Sequence, residues 1–149
     1  MSGLLRLWIN FEDDKTGELY AEFKAYGFSG RSSAWFQIPL LVEEARKFAQ
    51  YPLEPGQNPC INGGYWNSDA TEIAEEHLHL SAHQTNSRGG VALLVKLAVN
   101  RDDSVRPGLL CSASAELVAS YEQLAKFSRD LESLACGNAT EVIFSTIQS

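Results

Sequence analysis

The chain has 149 residues, 44% hydrophobic and 21% charged, which suits one globular domain spanning 1–149 and excludes disordered and collagen-like chains. No apolar run reaches the ~18 residues of a membrane helix, and Met1–Trp8 lacks a basic leader before a long apolar stretch, so a cytoplasmic protein without membrane association is expected. Twelve Lys and Arg against nineteen Asp and Glu give a net charge of −7, which leaves no basic stripe for nucleic acid and favours attraction to basic partners.

In chain order, Leu5, Leu7, Ile9 and Phe11 alternate with Arg6, Trp8, Asn10 and Glu12, the period of a half-buried strand. Asp13–Gly17 reads as a turn in which Gly17 is free to take positive φ. Leu19, Ala21, Phe23 and Ala25 alternate with polar neighbours and complete a hairpin. Phe28-Ser29-Gly30 reads as a second turn, and Ala34, Phe36 and Ile38 as a third strand. Pro39 opens a helix whose stripe is Leu41, Ala45, Phe48 and Ala49, stopped by Pro52.

Residues 52–67 are broken by Pro52, Pro55, Gly56, Pro59, Gly63 and Gly64, with room for one short strand near Cys60-Ile61. Leu78, Leu80 and Ala82 alternate with His77, His79, Ser81 and His83 as a clear strand. Asn86–Gly90 turns the chain, and the nearly all-apolar Val91–Val99 predicts a central strand covered on both faces. Residues 101–108 predict a loop and Leu109–Ala119 a strand. Ser120 and Gln123 form a capping box. Leu124, Phe127, Leu131 and Leu134 define a second helix, ended at Gly137-Asn138. Glu141–Ile147 predicts a last short strand or a packed tail. The expected fold is α+β: an antiparallel sheet of about six strands carrying two main helices, in the order βββα-loop-βββα.

Cys60, Cys111 and Cys136 are odd in number and form no C-x-x-C. They read as free thiols packed like small hydrophobes in a reducing compartment, with Cys111 in the core. Ser112–Ala115 make a flat strand that, uncovered, can pair with a second copy to form a homodimer.

All three histidines, His77, His79 and His83, share one strand face. Neutral imidazole is a common metal ligand, and Asp69, Glu72, Glu75 and Glu76 are near in sequence. The spacing His-x-His-x3-His-x6-Gly is close to the cupin metal motif. Here, however, Thr71 stands where that motif starts with Gly, His83 stands where it has Glu, and no second half follows. Along an extended strand His83 lies about 13 Å from His79, too far to share an ion without a bend. A polar solvent face accounts for the same alternation, and no metal or cofactor is expected.

Glu22 and Lys24 with Asp13 or Asp14 match the letters of a nuclease D…E-x-K arrangement, a short pattern common by chance. Gly27-Phe28-Ser29-Gly30-Arg31 lacks the final Gly of a nucleophile elbow, and no phosphate-binding glycine motif is present.

From 48 to 87 there is no Lys or Arg, while Glu54, Asp69, Glu72, Glu75 and Glu76 all fall there. Tyr65 and Trp66 follow Gly63-Gly64 in the same stretch. Trp and Tyr anchor interfaces when exposed. They pin a loop to the core when buried.

The layout of Gly17-Glu18-Leu19-Tyr20, Gly27–Gly30, Phe48–Pro52, Leu78-His79-Leu80, Gly89–Leu93 and Tyr121–Phe127 resembles small bacterial proteins of unassigned function and immunity proteins of the wall-associated polymorphic-toxin type. It spans roughly residues 5–135 and assigns no residue roles. The resemblance implies a non-catalytic protein that binds and blocks a partner toxin. The expectation is a cytoplasmic protein-binding module that docks a basic protein through Tyr65, Trp66, Asp69, Glu72, Glu75 and Glu76. The alternative is a small cupin-like enzyme using the His77/His79 face.

Overall fold

Among the described residues, eight strands and two helices follow one another as β1 (Gly3–Phe11), β2 (Thr16–Ala25), β3 (Phe28–Gln37), α1 (Ile38–Arg46), β4 (Cys60–Trp66), β5 (Ile73–Gln84), β6 (Val91–Asn100), β7 (Leu109–Ala119), α2 (Tyr121–Ala135) and β8 (Val142–Ser145). A single 3₁₀ turn, Lys47–Ala49, extends α1. The computed structural model describes residues 3–66, 69–100 and 108–146, so the loop expected at 101–108 lies, apart from Gly108, outside the described residues.

The α+β class and the antiparallel pairing are as expected, but the strands form two four-stranded sheets instead of one of about six. The first has the order β3-β2-β1-β8 and the second β4-β5-β6-β7, with every pairing antiparallel. Alternation shows which face of a strand is buried and is silent on what buries it. Here β3 lies against β4, β5, β6 and β7, so the second meander covers its apolar face with a strand of the first. The two extra strands, β4 and β8, are short or interrupted by Gly63-Gly64, where alternation is weakest.

Close contact between the sheets needs glycine at position 63. A Cβ there would sit 2.8 Å from Ala34 Cβ and 3.0 Å from Phe36 Cζ, inside van der Waals contact. Ser32 Oγ, on β3, donates to the Ala98 carbonyl of β6 at 2.6 Å and ties the sheets together. One apolar cluster then runs through both sheets and both helices, from Leu5, Leu7 and Phe23 to Leu80, Leu93, Leu117 and Phe127.

The helices pack on each other and on strand edges. α2 lies against α1, the 3₁₀ turn, β8 and β1, and α1 reaches β3 and β4. Phe127 joins Phe48 and Phe144 in edge-to-face pairs at 5.4 and 5.6 Å, a favoured aromatic geometry. Ser128 Oγ donates to Ala45 O at 2.8 Å between the helices. The capping box at Ser120/Gln123 is present in full. At the other end Asn138 N bonds Ser133 O and Gly137 N bonds Leu134 O, closing α2 at the predicted residues. Ala49 is exposed although it fits the helical stripe: the chain tightens to 3₁₀ at Lys47 and changes the phase of the side chains.

Two turns differ from expectation. Ala25 pairs with Phe28, leaving Tyr26 (φ 53°) and Gly27 (φ 86°) as a two-residue turn of the kind whose twist matches a hairpin. Phe28-Ser29-Gly30 are therefore strand, because Gly27 supplies the left-handed φ. In the first turn Asp13 Oδ1 accepts from Lys15 N and Thr16 N, both at 2.8 Å. Gly17 is already in β2, where a side chain would meet Ile9 at 2.9 Å, so it serves close packing instead of a positive φ.

β6 is central, as expected, and largely buried on both faces, with Lys96 and Val99 exposed. The cysteines also differ from expectation: Cys111 and Cys136 are exposed and only Cys60 is partly buried. β7 ends at a sheet edge, so the alternation that placed Cys111 in the core has nothing to pack it against. Among the described residues no helix is long and apolar enough to cross a membrane.

Candidate functional site: an aromatic cleft beside the histidine strand

The end of β3, the start of α1 and strand β4 do not close on one another. Between them lies a cleft of about 610 Å³, walled by Trp35, Phe36, Leu40, Leu41, Ile61 and Trp66, with Glu44, Cys60, Asn62, Gln37 and Ala70 completing the lining. Trp35 falls on the outward parity of β3, opposite buried Ala34. Pro39 starts α1 directly after the strand and so places Leu40 at the rim. Trp35, Leu40 and Trp66 are 53%, 54% and 53% exposed. Large apolar side chains exposed singly are ordinary; three around one hollow make a candidate binding surface.

Polar groups sit on the α1 and β4 sides. Glu44 Oε1 takes a hydrogen bond from Lys47 Nζ at 2.8 Å, which holds the Lys47 pKa above the usual lysine value, with the charge of the same carboxylate adding to the effect. Asn62 Nδ2 donates to Glu76 Oε2 at 3.1 Å. Burial raises the pKa of the Cys60 thiol, and the nearby Glu76 carboxylate pushes in the same direction.

On β5 each histidine has its own carboxylate. His77 Nε2 lies 2.7 Å from Glu75 Oε1, His79 Nδ1 lies 3.2 Å from Glu76 Oε2, and His83 Nε2 lies 3.5 Å from Glu116 Oε1. The register shift between Gly63 and Gly64 sets Gly64 opposite Glu76 and leaves His77 without a β4 partner. The rings are thus spread along β5, and among the described residues no three His, Cys, Asp or Glu side chains form a group that could hold a metal ion. His79 Nε2 also lies 2.9 Å from Ser81 Oγ, completing a carboxylate–imidazole–hydroxyl chain. Ser81 is buried, at 8% exposure, and does not line the cleft.

The acidic and aromatic candidates separate. Trp66 lines the cleft. Tyr65, also exposed, lays its ring edge-on to His77 at 4.5 Å. Asp69 is exposed and accepts from Thr71 Oγ1 at 3.0 Å; Glu72 is exposed on the same stretch. Glu75 and Glu76 are paired with His77 and His79 and do not line the cleft. Tyr65 and Trp66 are in β4 rather than in a loop.

The nuclease-like residues do not assemble. Asp13 is used in the first turn, while Glu22 stands opposite Arg6 and Arg31 in mid-sheet, six strand residues or about 20 Å beyond Thr16. Ser112–Ala115 lie in β7, an edge strand of the second sheet. A second hollow, of about 750 Å³, involves Phe28, Glu75, Glu76, Lys96, Leu109 and Ser112. It borders Gly108, next to residues 101–107, which lie outside the described residues.

Trp35, Leu40, Glu44 and Asn62 were not singled out by sequence. Two signals were there: a tryptophan on the solvent parity of an alternating strand, and a leucine next to the Leu41–Ala45 stripe but not in it. No family model, curated protein or solved structure matches the chain.

Proposed function

We propose that the chain is a cytoplasmic, non-catalytic binding module that docks a basic protein through the Trp35/Leu40/Trp66 cleft. Three large apolar side chains, each more than half exposed around one hollow, carry this reading. A few anchor residues, tryptophan prominent among them, supply most of the energy of typical interfaces. Asp69 and Glu72 add negative charge near Trp66 in a stretch without Lys or Arg, and the net charge of −7 attracts a basic partner from a distance. Blocking such a partner is the immunity-like activity that the resemblance implies.

Affinity capture tests it, with wild type against a Trp35→Ala/Trp66→Ala variant and each captured protein remeasured as a purified pair. The expected result is a basic partner held by wild type, with dissociation at least tenfold faster for the variant and association slowing as salt rises. A partner that leaves both proteins at the same rate places the interface elsewhere and overturns the reading.

A further inference from the structure

Trp8 shows what this chain does with an indole face when it has cations to spare. The Arg6 and Arg31 guanidinium carbons stand 4.5 and 5.0 Å from its ring centre, within the ~6 Å range of cation–π attraction. Among the described residues no Lys or Arg stands over Trp35 or Trp66 in this way.

The cleft combines what a cationic side chain needs. Trp35, Phe36 and Trp66 line it with aromatic rings, and Glu44 offers a carboxylate whose side chain is 36% exposed. Leu40, 54% exposed, offers an apolar surface along which a long methylene stem can lie, as Lys and Arg stems do. The cation of this chain at the carboxylate is Lys47, itself 56% exposed and paired across one helical turn. Exposed pairs of this kind contribute little, so an incoming cation can replace it. The stretch from 48 to 87, which supplies Cys60, Ile61, Asn62, Trp66 and Ala70 to the lining, contains no Lys or Arg.

We infer that the Trp35/Trp66 cleft is a receptor for the cationic head of a Lys or Arg side chain on the protein partner, with the indoles and Glu44 as the recognising groups. This rests on the binding reading above and narrows it to one ligand chemistry.

The test is a titration of the full chain followed through its three indole N–H resonances by NMR. The probes are N-acetyl-lysine methylamide and N-acetyl-arginine methylamide, with N-acetyl-norleucine methylamide as the uncharged control. The expected result is a saturable shift at Trp35 and Trp66, with Trp8 unmoved and affinity on the order of millimolar, as suits one side chain. The uncharged control should bind at least about tenfold more weakly. Glu44→Gln, at a part-exposed position outside the apolar core, should weaken the cationic probes about three- to tenfold. Whichever probe saturates at the lower concentration identifies the head group as ammonium or guanidinium. Equal binding of the norleucine probe, an equal shift at Trp8, or no saturation by either cation overturns the inference. If purified partner still binds wild type but both cations fail, the cation site falls and the docking reading stands. If the cations bind and no partner depends on Trp35 and Trp66, the docking reading falls alone.

Discussion

The Trp8 cluster on the outer face of the first sheet and the cleft at the β3 edge of that sheet use tryptophan in opposite ways. Trp8 stacks on Tyr20 with ring centres 5.4 Å apart and planes 6° from parallel, and it is flanked by Arg6 and Arg31. Arg6 is tied to Glu141 at 2.7 Å. The Tyr20 hydroxyl donates to Glu18 at 2.9 Å, which, with burial and the Glu18 charge in support, raises its pKa and keeps it protonated. Trp8, Tyr20, Arg6 and Glu18 thus all have partners from the same chain. Trp35 and Trp66 stand exposed around a hollow instead. The contrast teaches that an exposed aromatic points to binding only when its own chain leaves its face uncovered.

Breaking the cleft wall should have the largest effect. Gly63→Ala puts a methyl group against Ala34 and Phe36, and Phe36 lines the cleft. Overpacking of this kind costs about 1–3 kcal/mol. The expected outcome is a lower urea midpoint with an unchanged slope, together with weaker binding at the cleft.

Tryptophan deletions should separate the two regions cleanly. Trp8→Ala should destabilise the fold by about 1–2 kcal/mol through lost stacking and cation contacts. Trp66→Ala should change stability by no more than about 0.5 kcal/mol while removing binding. Urea unfolding of the two variants side by side checks this. Equal losses would mean that Trp66 is a structural residue.

Cys60 reports on the cleft from inside. Its thiol pKa is raised by burial, whereas Cys111 and Cys136 are exposed. The thiolate is the reacting form, so iodoacetamide at pH 8 should modify Cys60 about tenfold more slowly than the other two, and a cleft ligand should slow it further. Because the folded value lies above the unfolded one, the stabilisation is complete below the ordinary thiol range. It is lost as pH rises through the folded value. Stability should therefore fall with rising pH in that window, and Cys60→Ser should remove this component of the slope.

The smallest effect should come from thinning the cations around Trp8. Arg31→Ala removes one of two guanidiniums and should cost about 0.5 kcal/mol. It should leave cleft binding unchanged, as judged by the Trp35 and Trp66 indole resonances.

Much of this protein was legible locally. The alternation of Leu5–Phe11 with Leu19–Ala25, the capping box of Ser120 and Gln123, and the close of α2 at Gly137-Asn138 depend on residues near one another in sequence. Trp66 was singled out because an aromatic pair behind two glycines in a basic-free stretch is a local pattern. Trp35 and Leu40 were not, since nothing within a few residues of either says what lies opposite. Glu75 and Glu76 read as free acids until the strand register set them beside His77 and His79.

By itself the sequence determined the class, most of the strands, both helices and the acidic character, because these follow from side-chain period, backbone preference and charge count along short stretches. Only the tertiary structure decided that the strands divide into two sheets, that Cys111 is exposed, and that Trp35, Leu40 and Trp66 meet around one cleft. Those outcomes depend on β3 crossing the second meander and on Gly63 letting it approach. Such contacts join residues distant in sequence, and a periodic pattern carries no record of its partner.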